Sequence, residues 1–402
     1  MLIRLALALA LVLTASCNAT PTPFTSLPTP APSAPSTSTG LPKPFEPPKW
    51  VKTAPGIPLT VGPDWQGAGW DGGLLLAAGV NSHDFELFTS KDGHDWRASA
   101  PVRMIPLDFF RGRVVAGYGA AGYLVGWTSQ GPTVWRTEDG ERGETIPLQL
   151  GDLKVRSPLD LSVTIAAGPR GVIVVGSDTF TPPHYHGVYV WYSPDGRSFG
   201  GLARVPGRVD EEPSSAVVQA TPNCFLLGNG TMLLSSEDGV HWQDITTGMP
   251  RTRGIVHVSG NSSTVVVFTS HWPSDPPEEP LAWYRHDGTW RPAPMDPGRL
   301  PDAGVVPVDQ RRVNAVRNWG TGFIAIGNTQ GDEGTEIAGM VWYSADGSSW
   351  TRMPVRDNGF DTALRLLDIA ISRQKAVLVG SPSYRSENLL TLTWQADAPP
   401  NP

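Results

Sequence analysis

Ser236-Glu237-Asp238-Gly239-Val240-His241-Trp242 reads as a tight hairpin turn between two strands. Glycine supplies the positive φ that such a turn needs. The aspartate carboxylate and the serine hydroxyl can accept backbone N–H bonds inside it. The tryptophan then returns on the next strand with a large apolar face. The same pattern is spelled out at Ser90-Lys-Asp92-Gly93-His-Asp-Trp96, Thr137-Glu-Asp139-Gly140, Ser193-Pro-Asp195-Gly196-Arg-Ser-Phe199, Arg285-His-Asp287-Gly288-Thr-Trp290 and Ser344-Ala-Asp346-Gly347-Ser-Ser-Trp350. A repeat of this size is the signature of a propeller or an array.

Working outward from the turns, seven units fill residues 57 to 396. Inner strands are expected to begin near Gln66, Arg113, Leu161, Ser215, Gly254, Arg312 and Leu366. Each is followed by a second apolar run, such as Val172-Ile-Val-Val-Gly176 or Ala376-Val-Leu-Val-Gly380. These runs are continuous rather than alternating, as in strands buried on both faces. Third strands carry aromatics: Phe88, Trp135, Trp191, Trp283, Trp342 and Trp394. The expected fold is all-β, a seven-bladed β-propeller of four-stranded antiparallel blades over residues 50–398, with a tail at 399–402. The last unit supplies only three strands. The segment Trp50 to Val61, with Ile57-Pro-Leu-Thr-Val61, is left over at the other end. Pairing it into the seventh blade would close the ring and remove both open edges. Residues near Leu59 are therefore expected beside residues near Leu392.

The first residues read as an address rather than as fold. Arg4 gives a positive start, and Leu5 to Ala15 is an apolar run too short to span a bilayer. It ends in Leu13-Thr14-Ala15-Ser16-Cys17, which resembles the lipobox of bacterial lipoproteins. That resemblance implies a signal peptide over residues 1–16, lipidation at Cys17 and anchorage in the bacterial cell envelope; plain secretion is the alternative. Residues 17–49 are then the anchor cysteine and a Pro/Thr/Ser-rich tether with almost no charge. Such a composition cannot bury enough apolar surface to offset its ordering entropy. Cys224, the other of the two cysteines, is expected as a small core residue, so no disulfide is anticipated.

The turns resemble the Asp-box, or bacterial neuraminidase repeat, of sialidase-type β-propellers. On that resemblance Asp92, Asp139, Asp195, Asp238, Asp287 and Asp346 are structural turn residues. The family's carboxylate-binding arginine sits in a Phe/Tyr-Arg-Ile/Leu-Pro motif ahead of the first box. Here no arginine occurs between Arg4 and Arg97, and the faint echo Val102-Arg103-Met104-Ile105-Pro106 falls after that box. Sialidases also have six blades. No catalytic residue is carried over, and catalysis is left open with binding preferred. A glycan-active hydrolase or lyase, or an assembly factor for an envelope complex, are the alternatives.

Net charge is −7, and basic residues form no run suited to a phosphate backbone, so nucleic acid is not expected as a partner. Each Asp-Gly turn offers one carboxylate where a calcium loop needs several oxygens, so no metal is expected, and no cofactor. His184-Tyr185-His186 and the acidic stretch Asp332-Glu333 are taken as loop residues. The connections entering the inner strands carry Arg113, Arg253, Arg312 and Arg365. In a propeller these gather at one mouth of the central channel, opposite the Asp-Gly turns. Converging guanidiniums would bind a carboxylate or sulfate through charge-assisted forks. Loops 180–187, 271–280 and 328–339 are expected to rim that face, with Trp272 as a contact. The expected partner is a protein or a glycan, the expected oligomeric state a monomer, and the membrane is met only through the lipid.

Overall fold

A computed structural model places seven four-stranded antiparallel sheets in a closed ring. It describes residues 45–399, leaving out 54–64, 81–83, 100–101, 106–112, 152, 154, 156–160, 179–186, 206–215, 250–253, 270–280, 298, 301–303, 306–310, 331–335, 355–357, 361–364 and 383–390. The innermost strands are Trp65–Trp70, Val115–Tyr118, Leu161–Gly168, Val217–Ala220, Ile255–Gly260, Arg311–Trp319 and Arg365–Ile371. Each touches the innermost strand of the next sheet, and the seventh touches the first. The protein is a seven-bladed β-propeller, as its repeats require.

Blade three shows how the pattern becomes structure. Leu161–Gly168 pairs with Gly171–Asp178, which pairs with Val188–Ser193, which pairs with Ala203–Val205. The second strand runs through Val172, Ile173, Val174 and Val175, all buried, because both of its faces meet a neighbouring blade. Fully burying each such side chain contributes about 1.5–3 kcal/mol. Two of the third-strand tryptophans also cap the chain that links blades. Trp191 Nε1 donates to Gln149 O at 2.7 Å and Trp342 Nε1 to Asp296 O at 3.0 Å, each meeting the connection that leaves the preceding blade. Trp191, Trp342 and Trp394 are fully buried.

Five of the six turns share one geometry. In blade four, Gly239 N donates to Ser236 Oγ at 2.8 Å, while Asp238 Oδ1 accepts from Val240 N and His241 N at 2.9 and 2.8 Å. Gly239 has φ of 74°, and a Cβ there would meet the Tyr192 ring of blade three at 2.5 Å. Likewise Gly140 lies against Thr89 and Gly93 against Val377. The glycine thus serves two needs at once: left-handed backbone, and close approach to the preceding blade.

The turn of blade five is different. His286 pairs directly with Thr289, so Asp287 and Gly288 form a two-residue hairpin loop with φ of 48° and 77°. Both central residues are left-handed, the type I′ requirement. Asp287 therefore shares the letters of the repeat without its geometry. Cys224 is half-buried, with Sγ 3.4 Å from Thr221 Oγ1, rather than deep in the core. Among the described residues no helix is long and apolar enough to cross a membrane.

Ring closure is by the N-terminal segment, but through an earlier stretch than its sequence pattern indicates. Val51–Thr53 forms the outer strand of blade seven, with Val51 opposite Gln395, Lys52 opposite Trp394 and Thr53 opposite Thr393. Residues 57–61, expected in that role, lie outside the described residues. Just before the strand, Trp50 is buried against Trp319, ring centroids 5.9 Å apart, and Phe45 stacks on Tyr343 at 5.8 Å. Both partners belong to blade six, so the segment ties two blades together.

Candidate functional site

The inner strands leave a cavity of about 280 Å³ at the end of the channel where they begin. Residues from all seven blades line it, among them Gln66, Arg113, Thr164, Gln219, His257, Asn314 and Asp368. A smaller chamber of about 100 Å³ follows toward the other end, lined mainly by small and aliphatic residues such as Ala68, Gly117, Ala167 and Ile369. Arg113, Gln219 and Arg317 border both. Beyond them the strands draw together: a Cβ on Gly69 would stand 2.0 Å from Ile371 O, and one on Gly117 would stand 2.4 Å from Gly69 O. The channel is wider and lined by several polar side chains at one end, and narrow at the other, where glycine and alanine line much of the wall.

Asp368 is the electrostatic centre of this layer. Its side chain is only 5% exposed. Oδ1 accepts from Arg317 Nη2 and from Ile369 N, and stands 3.8 Å from Arg113 Nη1; Oδ2 accepts from Gly67 N at 2.9 Å. One carboxylate therefore joins blades one, two, six and seven, counting Arg113 with the strand it leads into. Arg113 also donates to protein carbonyls, Nε to Val115 O at 2.7 Å and Nη2 to Gly67 O, while its Nη1 is buried without a hydrogen-bond partner. Arg317 Nη1 donates to Val316 O at 2.7 Å, and its Nε is buried without a hydrogen-bond partner. A buried carboxylate is tolerated when paired and hydrogen-bonded in this way, and its loss would strand two guanidiniums.

Three consecutive blades bend at the cavity. A register shift falls between Ile255 and His257, between Val313 and Ala315, and between Leu366 and Asp368. The extra residues are Val256, Asn314 and Leu367, and all three line the cavity. Bulges of this kind re-aim side chains and sharpen local twist. His257 Nε2 lies 2.9 Å from Val313 O. Burial pushes its imidazole below the usual range, outweighing the opposing pull of the Val313 carbonyl and of Asp368.

No protein-family model matches this chain, and no curated protein matches it. Among solved structures it is similar to a phage phi92 endosialidase, with 10% identity over 88% of this chain and 69% of that one, at a TM-score of 0.42. So distant a likeness carries nothing about activity. The propeller assignment stands on the sheet order and ring contacts of this chain itself.

Of the four arginines singled out from sequence, Arg113 and Arg365 line the cavity. Arg312 is exposed on blade six and is not among the lining residues. Arg253 and Trp272 lie outside the described residues, as do Cys17, His184, His186, Asp332 and Glu333. The stretch 328–339, expected as a loop, is mostly strand: Asn328 pairs with Gly339 and Thr329 with Ala338. Arg317, Asp368, Gln219, His257 and Asn314 were not anticipated. The available signal was a polar residue in the middle of an otherwise apolar inner strand, as in Leu366-Leu-Asp368-Ile-Ala370.

On the far face, Asp92, Asp139, Asp195, Asp238 and Asp346 each accept backbone N–H bonds within their own turns. Among the described residues no group of histidine, cysteine and carboxylate side chains is arranged to hold a metal ion.

Proposed function

We propose that this chain is an exported bacterial lipoprotein, anchored through Cys17, whose Asp-box propeller binds a protein or glycan partner at the channel mouth. The observation that carries the binding role is the composition of the cavity wall. Among the described lining residues Asp368 is the single carboxylate, and Arg317 and Arg113 already engage it. Glycoside hydrolysis ordinarily calls on two carboxylates with separate roles. A shaped, partly polar chamber with one committed carboxylate supports recognition over turnover. The lipobox-like Ala15-Ser16-Cys17 and the sparsely charged tether support envelope anchorage.

A soluble form beginning at Asn18 tests the reading. It is expected to retain an envelope protein or glycan saturably and to release no product from an oligosaccharide panel. Val217→Trp, which fills part of the chamber, is expected to reduce retention at least tenfold; Arg97→Ala, on an exposed outer strand, is expected to leave it unchanged. Release of sugar at enzyme-like rates would overturn the proposal.

A further inference from the structure

Resting on that binding role, we infer that the chamber recognises a neutral, hydroxyl-rich group, such as a single uncharged sugar residue at a glycan terminus. The ligand class is set by which end of each polar side chain is already committed. Asn314 gives its Nδ2 hydrogens to Asn328 Oδ1 at 2.8 Å and Leu366 O at 2.6 Å. Gln219 gives Nε2 to Ala220 O at 3.2 Å. His257 gives its Nε2 proton to Val313 O. In each case one partner is a backbone carbonyl, which can only accept. The amide orientations and the imidazole tautomer are thereby determined.

Three adjacent blades therefore present acceptors to the chamber: Gln219 Oε1, His257 Nδ1 and Asn314 Oδ1. None of these atoms has a partner among the described residues. A ligand that satisfies them must arrive with donors. A carboxylate or sulfate group has none to give and would set its own lone pairs against these three. Two of the cavity's three guanidiniums, those of Arg113 and Arg317, are held by Asp368 and carbonyl oxygens, and the nitrogens they leave without a hydrogen-bond partner, Arg113 Nη1 and Arg317 Nε, are buried beneath the chamber surface. An ammonium group would meet three guanidiniums, Arg365 included, against one carboxylate. Hydroxyl groups supply donors without net charge. The bulged Val256 and Leu367 add apolar surface for the C–H face of a ring. A volume of about 280 Å³ suits a terminal residue more than an extended chain.

The test uses the soluble form beginning at Asn18 against an array of neutral, sialylated, uronylated and amino-sugar glycans, followed by calorimetry with methyl glycosides and with the intact glycans. Neutral glycans are expected to bind, with their acidic counterparts at least tenfold weaker. Gln219→Met is expected to lower affinity for the neutral ligand about fivefold, the loss of one neutral hydrogen bond, with the thermal midpoint unchanged. His257→Leu serves as the second variant and is expected to act in the same direction. An array on which only acidic glycans bind, or neutral binding indifferent to both variants, overturns the inference while leaving a binding module. Hydrolysis of a bound neutral glycan overturns the binding-module reading while leaving the ligand class in place.

Discussion

At the scale of single residues, five of the six Asp-Gly turns concentrate two demands in a few atoms. The serine or threonine hydroxyl holds the glycine amide while the carboxylate holds the next two amides. Four of these carboxylates answer by titrating low. The amides of Asp95 and His94 hold Asp92 below the usual carboxylate range, those of Arg142 and Glu141 do so for Asp139, and that of Arg197 for Asp195. For Asp238 the His241 side chain leads and the His241 amide follows, and the shift is larger. A carboxylate whose folded pKa lies below its unfolded one contributes stability that is present above the unfolded value and lost as pH falls through the folded one. The turns are therefore expected to weaken the fold progressively below about pH 4. Asp238→Asn keeps an acceptor for the Val240 and His241 amides but cannot titrate. The variant should lose less of its stability between pH 5 and pH 2 than the native chain, read as thermal midpoint against pH. Equal acid sensitivity of the two would refute the role given to this carboxylate. The exposed position of these groups keeps the individual effects modest.

At the scale of elements, the repeat was readable wherever local chemistry decides and unreadable wherever the ring does. Glycine after aspartate, aromatic third strands and continuous apolar second strands are local, and they correctly locate the blades. Asp287-Gly288 has the same letters, but a two-residue loop leaves no room for the carboxylate to cap following amides. The closing strand is short, mostly exposed and paired on one side, so Val51-Lys52-Thr53 gives almost no β signal beside the more apolar 57–61. What marks it is Trp50, whose partner Trp319 is 269 positions away in the chain. The channel layer was hidden for the same reason: Arg317 and Asp368 meet only because blades six and seven are neighbours. The weight placed on Trp50 is measurable. It is 4% exposed and packs into the cluster that contains Trp319, Phe360 and Trp394. Trp50→Ala is expected to cost roughly 3 kcal/mol, as for a large aromatic removed from a core, and to lower the thermal midpoint by several degrees. The exposed Val51→Ala, on the same strand, should change it far less. Similar small shifts for both would show that the strap does not hold the blades.

At the scale of the whole molecule, a ring of sheets has a seam, and its strength depends on how the two ends are joined. Blade seven takes three strands from the C-terminal end and one from the N-terminal end. The seam is fastened three more times: Thr53 Oγ1 lies 2.6 Å from Thr393 Oγ1, Gln395 Nε2 donates to Gly93 O in the first blade, and Gly93 itself sits against Val377. Closing in this way removes the exposed edges that an open stack of blades would present. It also means that opening the seam would uncover apolar faces of blades one and seven, where Leu76 and Val379 are fully buried in one cluster. A covalent clasp isolates this contribution. Thr53 and Thr393 are direct cross-strand partners, the relation in which Cβ atoms approach closely enough for a disulfide. Thr53→Cys with Thr393→Cys would enclose nearly the whole propeller in one loop, since the positions are 340 apart. Chain-entropy reasoning assigns such a long loop on the order of 5 kcal/mol, as an upper estimate before strain is counted. The doubly substituted chain, oxidised, should migrate faster on a non-reducing gel and unfold at a higher temperature than the same protein reduced. Failure of the two cysteines to join under oxidising conditions would show that the ring does not close in the register Val51–Gln395, Lys52–Trp394, Thr53–Thr393. The position of every inner strand around the channel, and with it the chamber they build, would then have to be drawn again.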